Sequence, residues 1–441
     1  MTQLPAQSPA TTTAPARPGA FAPLSLPAFR WLLLGTTLSN AAQWIQQVTL
    51  SWLVYDLTAS GTMLGTLNLV RSLATLGLAP VAGLAIDRLS RRALMFMVNG
   101  WLFAISFALG LALLFGHTAL WPLFVFTFLG GIAQAIDLPL RQTLVFVMVP
   151  RLLASSAVAL VQTGWALMRS LGPALGGVLI LWFGAGGNFL VQATAYALIT
   201  LTITRMQFPP VQANPSPGAA RHNLRDGLRY VAREPTTRAF LLMGWVLPLF
   251  IIPNFTALPP IYAKDIFGGG PQVLGALLSA VGVGGIAGGL VAALLAQQER
   301  RGLVQLAALL LLGLMLCGFA VSPTLWVALP LLAAAGFFEM IYLTTNQTLL
   351  QLSIPDELRG RVTGIVTLNA GLAPVGALVA GVGADLVGPR AMTLLLSGSA
   401  AVIAVAVFWA SSTIREYRLS HALAASTSHP TVGGGAERQR V

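Results

Sequence analysis

Charge, acidic residues and cysteine are scarce in this sequence. Only 9% of its 441 residues are charged, against about 25% in an average soluble domain, which argues against a soluble fold. The single cysteine, Cys317, allows no disulfide within the chain and no thiol cluster for zinc. The histidines that could act as metal ligands all fall in predicted loops or tails: His117, His222, His421 and His429. We therefore expect no metal site and no cofactor.

The sequence also lacks the usual signatures of an enzyme. It contains no Walker-type phosphate loop and no long polar segment that could form a soluble ATP-coupling domain. A membrane-bound transferase would need several polar catalytic groups at one membrane surface, and no such group is evident. We expect that the protein is not an enzyme and has no catalytic residues.

Long apolar runs fill the chain instead. Hydrophobic residues make up 56% of the sequence, and the mean hydropathy is +0.78. A helix needs about 20 apolar residues to cross a bilayer, and about 12 runs are long enough. These runs are 29–57, 61–86, 93–115, 119–140, 155–183, 188–206, 239–263, 272–296, 303–321, 325–350, 362–385 and 391–413. The pattern predicts an all-α membrane protein of about 12 transmembrane helices in two pseudo-repeated six-helix halves.

Basic residues are concentrated on one side of the predicted membrane. The net charge is +12, and every basic residue except Arg71, Arg169, Lys264 and Arg390 falls on a tail, a helix end or a loop of that side. Basic residues near helix ends are retained in the cytoplasm, so both termini are predicted to be cytoplasmic in a multi-pass protein of the cell (inner) membrane. The positive charge thus reflects topology, and we expect no nucleic-acid partner.

Five segments follow from this pattern. Residues 1–28 are rich in Ala, Thr and Pro and lack the features of a secretory signal, so we expect a disordered cytoplasmic tail. The two halves are 29–206 and 239–413, joined by a cytoplasmic linker, 207–238, that opens with a proline-rich stretch. Residues 414–441 are expected to form a second cytoplasmic tail.

The halves show a weak internal repeat. The segment R-Q-T-L from Arg141 matches N-Q-T-L from Asn346, an offset of 346 − 141 = 205 residues, and the same offset places Gly176 on Gly381. Short matches in a chain rich in Leu and Gly can also arise by chance. Paired halves with sites at their interface are the usual construction of secondary transporters.

Two motifs resemble signatures of the major facilitator superfamily. The segment G-L-A-I-D-R-L-S-R-R between the second and third runs resembles its loop signature, with Gly83, Asp87, Arg88, Arg91 and Arg92. The segment G-P-A-L-G-G in the fifth run resembles the motif of its proton-coupled antiporters, with Gly172, Pro173, Gly176 and Gly177.

Further segments resemble the drug-exporter branch, which includes macrolide efflux proteins and siderophore (enterobactin-type) exporters: D-L-P-L-R-Q from Asp137 and R-G-R-V from Arg359. The resemblance implies the major facilitator fold and proton-coupled efflux of a small amphipathic compound by alternating access. It implies a small-molecule substrate, protons and the lipid bilayer as partners, and we expect a monomer. An importer, or a lipid-transporting or non-transporting receptor protein of the same fold, is the alternative.

The sequence departs from this branch in three places. Relatives often carry an acidic residue in the first run, where this chain has Gln43, and another after the D-x-P-x-R segment, where Phe146 and Val147 stand. In the second half the loop signature decays to Q-Q-E-R-R from Gln297. The substrate and the coupling stoichiometry are therefore not carried over from the branch.

The loop signature also has a physical interpretation. Asp87 ends the second run beside three arginines, and an ion pair that exists in only one conformation would bias alternating access. For Arg91 and Arg92 the alternative is that they only obey the positive-inside rule.

Glycine and proline predict close helix packing in two runs. Pro173 should bend the fifth run while its glycines leave a smooth face, and the glycines from Gly275 to Gly289 make the eighth run a sliding surface. Close packing without any coupling role is the alternative.

Apart from residues at the ends of the runs, such as Asp56 and Asp385, four charged residues lie within the predicted spans, where a charge normally faces a cavity or a partner. Glu339 is near the middle of its run and is the first candidate for proton coupling, and Asp137 is the second. Asp137 also lies one turn from Arg141, which favours a structural pair. Arg71 and Arg169 are the possible charge partners inside the membrane. Either could hold Glu339 charged and remove it from proton coupling.

Polar stripes mark the candidate lining of a substrate cavity. Amides in a lipid-embedded helix are costly unless they face water, substrate or other helices, so interhelical hydrogen bonding is the alternative. Tyr342 and Asn346 share a predicted face with Glu339, and Asn254 lies among prolines that predict a broken gate helix. The candidates are Asn40, Gln43, Trp44, Gln47, Asn254, Tyr342 and Asn346.

The predicted topology can be tested by labelling single cysteines in intact cells. Cysteines replacing Ser90 and Ser216 should react only from the cytoplasm, and one replacing Gly269 only from outside, because the arginine asymmetry requires it. Labelling of position 269 from the cytoplasm would overturn the predicted number of spans.

Overall fold

The computed structural model describes residues 19–206, 208, 229–354, 358 and 371–417, without the side chains of Asp87 and Ala296. Within these residues the chain is helical and contains no strand. The helices are α1 (Pro27–Thr58), α2 (Gly61–Arg88), α3 (Arg91–Leu114), α4 (Leu120–Met148), α5 (Ala154–Thr204), α6 (Pro235–Ile266), α7 (Pro271–Leu294), α8 (Arg301–Val321), α9 (Leu325–Leu352), α10 (Leu372–Val387) and α11 (Pro389–Ala410).

Nine helical segments among the described residues are long and apolar enough to cross a membrane. One of them contains two of the predicted spans, because Gly184 breaks α5 with a positive φ of 67°. Neither α1, whose amides lower its hydropathy, nor α10, with 16 residues, is among the nine. The all-helical, multi-pass membrane fold is confirmed, whereas the count of 12 spans stays a prediction. Most of the predicted linker, much of both tails and the R-G-R-V segment lie outside the described residues.

Helix α6 is broken, as its prolines predict. Proline lacks the backbone N–H that continues a helical ladder and clashes with the preceding turn. The helix accordingly changes to π-helical turns at Leu247–Ile251 and Tyr262–Ile266, with short α-helical pieces between them. The break places Phe255 and Thr256 against the space between the two halves.

The two halves meet where α5 packs on α7 and α2 packs on α10. Glycines allow this contact because they have no side chain to separate the backbones. A Cβ at Gly282 would lie 2.5 Å from the Cα of Ser170, and one at Gly275 would lie 2.6 Å from the carbonyl oxygen of Pro173. The opposite face of α7 packs equally closely, with Gly284 against Ala333 of α9. Helix α7 is therefore held between α5 and α9 by backbone contact.

The structure shifts the glycine pairing of the internal repeat by one residue. Gly177 packs on the first residues of α7, whereas its counterpart Gly381 packs on the first residues of α2. Likewise Gly172 packs on α1 and Gly376 packs on α6. These pairs are 381 − 177 = 204 and 376 − 172 = 204 residues apart. Gly177, not Gly176, is thus the partner of Gly381, one residue away from the sequence match.

A carboxylate of one half caps a helix of the other. Asp385, in α10, accepts hydrogen bonds from the backbone N–H groups of Gly61 (2.6 Å) and Thr62 (2.9 Å). It also accepts from the hydroxyls of Ser60 (2.8 Å) and Thr62 (2.6 Å). These donors are the otherwise unpaired groups at the N-terminus of α2, where negative charge is favourable.

Two further polar contacts join the halves at this end of the molecule, which we call the Asp385 end. Lys264 pairs with Asp56 at 2.6 Å, and the Tyr55 hydroxyl donates a hydrogen bond to Asp265. The opposite end, which we call the basic end, carries Arg88, Arg91, Arg92, Arg151, Arg205, Arg300 and Arg415 at helix termini.

We expect Gly282→Ala to destabilise the protein, because its methyl group would overlap the backbone of α5. Overpacking of this kind costs about 1–3 kcal/mol, and thermal unfolding of the purified protein should show it. Gly289→Ala is the matched control on the same helix, since its Cβ would meet only Met340 at 3.6 Å. Equal unfolding temperatures for the two variants would contradict close contact at Gly282.

Candidate functional site

A cavity of about 480 Å³ lies between the two halves. Helices α1 to α5 line it from one half, and α6, α7 and α9 line it from the other. The wall from the first half is rich in amides: Asn40, Gln43, Gln46, Gln47 and Gln134. The wall from the second half is mostly apolar: Leu247, Ile252, Phe255, Leu278, Val281 and Leu343. The cavity therefore offers one polar and one apolar surface to an occupant.

An ion pair connects the halves across this cavity. The Arg169 Nη2 of α5 donates to the Glu339 Oε2 of α9 at 2.6 Å. The side chains are only 13% and 3% exposed, so solvent screens the pair weakly. The Arg169 guanidinium also lies over the Trp165 ring, 5.5 Å from its centroid. Of the two arginines considered as partners for Glu339, Arg169 is the one that contacts it.

Asp137 lies in a second ion pair, within the first half. The Arg141 Nε lies 2.8 and 2.9 Å from the two carboxylate oxygens of Asp137, one turn away on α4. Arg141 also donates from Nη2 to the Asn99 side chain of α3 at 3.1 Å, and the Ser39 hydroxyl of α1 lies 3.4 Å from Asp137. Asp137 lines the cavity, but its partners bind three helices of one half together.

Arg71 lines the cavity, and its partner among the described residues is neutral. Its Nη1 donates to the side-chain oxygen of Gln47 on α1. Throughout the described part of the chain, no carboxylate forms an ion pair with Arg71. It differs in this respect from Arg169, the other arginine of the cavity wall.

The amide residues of α1 both line the cavity and form hydrogen bonds with other helices, which were the two alternatives considered for them. Gln43 accepts a hydrogen bond from Gln134 of α4 at 3.2 Å, and Gln46 accepts one from Gln192 of α5 at 2.6 Å. Asn40, Gln43, Trp44 and Gln47 all line the cavity as well. Sequence reasoning missed Gln134 as a cavity residue, although it lies on the same helical face as Asp137.

Three candidate cavity residues lie elsewhere. The Tyr342 hydroxyl donates to the carbonyl oxygen of Met243 at 2.5 Å, and Asn346 accepts a hydrogen bond from Gln305 of α8 at 2.7 Å. The Asn254 side-chain amide donates hydrogen bonds to the carbonyl oxygens of Phe250 and Ile251 within its own helix. The predicted stripe on α9 is therefore split: Glu339 faces the cavity, while Tyr342 and Asn346 connect neighbouring helices.

The antiporter-type motif lies at two helix contacts. A Cβ at Gly172 would lie 2.6 Å from the Trp44 Cβ of α1, and one at Gly177 would lie 2.5 Å from the Pro271 carbonyl oxygen of α7. Gly176 lies between them and faces Ile45 of α1. These contacts are the close packing that the glycines predict.

The loop signature lies at the basic end. Arg88 ends α2, and the Ser90 hydroxyl caps α3, which begins with Arg91 and Arg92. The Asp87 side chain lies outside the described residues. Among the described residues nothing lies within 4 Å of a Cβ placed at Gly83, so no close helix contact is seen at this glycine.

Comparisons with known proteins identify the family. A model of the transmembrane secretion effector family matches residues 18–432. The chain is 26% identical over 371 residues to the staphyloferrin A transporter of Staphylococcus aureus, covering 83% of this chain and 91% of that protein. It is 28% identical over 385 residues to the multidrug efflux pump Tap of Mycolicibacterium fortuitum, again covering 83% and 91%.

Among solved structures, a bacterial homologue of the human lysosomal transporter Spinster shares the fold. The TM-score is 0.70 at 15% identity, covering 89% of this chain and 98% of that one. These proteins are transporters, not enzymes. The chain belongs to the transmembrane secretion effector family of major facilitator superfamily transporters.

Proposed function

We propose that this protein exports a small amphipathic compound through the cavity between its halves, in exchange for protons. The observation that carries the proposal is the Arg169–Glu339 ion pair, which crosses that cavity and connects α5 to α9. A charged pair at the interface of halves that must move can act in coupling if it breaks in one conformation and re-forms in the other. A structural pair that keeps Glu339 charged is the alternative.

The cavity wall supports an amphipathic substrate. One surface offers amide donors and acceptors, while the other offers aliphatic and aromatic side chains. A volume of about 480 Å³ lies within the usual range of small-molecule sites. The similarity to a multidrug efflux pump and to a siderophore transporter favours export of such a compound.

Protonation of Glu339 would couple proton movement to substrate movement through a change of conformation. A charged Glu339 holds Arg169 by a charge-assisted hydrogen bond, whereas a protonated one would bind it far more weakly. A ligand or proton that weakens the Arg169–Glu339 pair shifts the population toward the conformation in which the pair is broken. Because the Asp385 end is closed by contacts between the halves, its opening is the change that export requires.

The remaining assignments depend on the same proposed function. The basic end is placed in the cytoplasm of a cell (inner) membrane, with both termini inside, because basic residues concentrate there. Asp87 and the arginines of the loop signature are assigned to control of that end. The described walls of the cavity come from both halves of one chain, which supports function as a monomer.

Glu339→Gln should abolish transport driven by a pH gradient, because the amide keeps a polar contact but cannot exchange a proton. Accumulation of a panel of drugs, macrolides and siderophores would be measured in everted vesicles with and without the gradient. The membrane potential would be held at zero with valinomycin and equal potassium. Substrate binding and exchange between two substrate pools should persist in the variant.

Glu416→Gln is the matched control, since Glu416 is exposed at the basic end and pairs there with Arg415. It should behave as the wild type does. If Glu339→Gln still accumulates substrate under the pH gradient, Glu339 is not the coupling residue, and Asp137 becomes the next to test. Uptake in the opposite direction would favour an importer, and absence of movement for every compound would favour a receptor or a lipid transporter.

A further inference from the structure

The charges around the cavity do not balance. Asp137 is neutralised by Arg141, and Glu339 by Arg169. Among the described residues that line the cavity, Arg71 is the remaining charged side chain, and its described partner is the neutral Gln47. The four described charged side chains that line the cavity sum to zero, but Asp137 is already paired with Arg141 outside the lining. With Arg141 counted, three arginines face two acids among the described residues, and Arg71 is the one left over.

An uncompensated arginine inside a membrane protein calls for an anion. Burying a cation away from its counter-ion is costly, so such residues normally face a partner or a pathway. Arg71 does face the pathway, because it lines the cavity from α2. Its guanidinium has five N–H donors in a fixed fork, and Gln47 occupies one of its terminal nitrogens. The other donors are available to an occupant of the cavity.

We propose that Arg71 binds the carboxylate of an anionic amphipathic substrate and so sets the charge selectivity of this transporter. This inference rests on the proposed transport function. A planar guanidinium matches a carboxylate through two parallel hydrogen bonds, which a lysine cannot reproduce. Gln47 orients the guanidinium from α1, so the fork is held in place before the substrate arrives.

The surroundings of Arg71 fit the rest of such a molecule. Gln43 and Asn40 follow Gln47 along the amide wall and can bind polar substituents near the carboxylate. Trp44 and Phe255 offer aromatic surface from opposite halves for an apolar body. The substrate class is therefore a small molecule with one carboxylate and an aromatic or aliphatic body.

The test compares two probes that differ only in charge. Equilibrium binding of 1-naphthylacetate and of its neutral analogue, 1-naphthylacetamide, would be measured on the full-length protein in phosphatidylcholine nanodiscs. The wild type should bind the carboxylate at least about tenfold more tightly than the amide, because a charge-assisted hydrogen bond is lost with the amide. Equal binding, or preference for the amide, would overturn the inference.

Variants then assign the preference to Arg71. Arg71→Gln should lose about tenfold or more in affinity for the carboxylate while binding of the amide is unchanged, which also shows that the variant is folded. Arg71→Lys should recover part of the loss, because it restores the charge without the fork. Arg205→Gln, at an exposed arginine outside the cavity, should match the wild type. An equal loss for both probes in Arg71→Gln would make Arg71 a structural residue and overturn the proposal.

The outcome is separable from that of the transport proposal. If neutral members of the export panel move but no carboxylate is preferred, the transporter assignment stands and the role of Arg71 fails. If no compound of either charge binds or moves, the transport proposal fails and this inference fails with it. Displacement of the carboxylate by added phosphatidylglycerol would assign the site to lipid phosphate and overturn the substrate class.

Discussion

The cost of charge inside the bilayer determines how the interior of this protein is arranged. A charged side chain at the centre of a spanning helix costs about 2.5–3.5 kcal/mol on insertion scales, so each must find a partner or water. Asp137 and Arg141 solve this locally, within one turn of α4. Arg169 and Glu339 pair with each other across the two halves, and both line the cavity between them. The other features of the candidate site are described by their position relative to these two ion pairs.

The contact between α5 and α7 lies beside the Arg169–Glu339 pair. Glycines such as Gly275 and Gly282 bring the two backbones together there. At the Asp385 end, by contrast, hydrogen bonds and an ion pair close the molecule. The structure thus combines close backbone packing between the halves with polar contacts that a conformational change would have to break.

Local features of the sequence predicted much of this arrangement. The helices and the breaks at Gly184 and in α6 follow from hydropathy, glycine and proline, which act over a few residues. The Asp137–Arg141 pair was predictable because residues four apart on a helix are neighbours. The pairing of Gly176 with Gly381 was wrong by one residue, since short matches between Leu- and Gly-rich segments do not distinguish offsets of 204 and 205.

The sequence by itself determined that this chain is helical, lies in a membrane and keeps its basic residues to one end, because hydropathy and charge are properties of each segment alone. Only the tertiary structure decided that Glu339 pairs with Arg169 and that Arg71 is left to the cavity. It also turned Tyr342 and Asn346 toward other helices. Helical periodicity places a side chain on a face, but the neighbour of that face is set by packing between segments far apart in the chain.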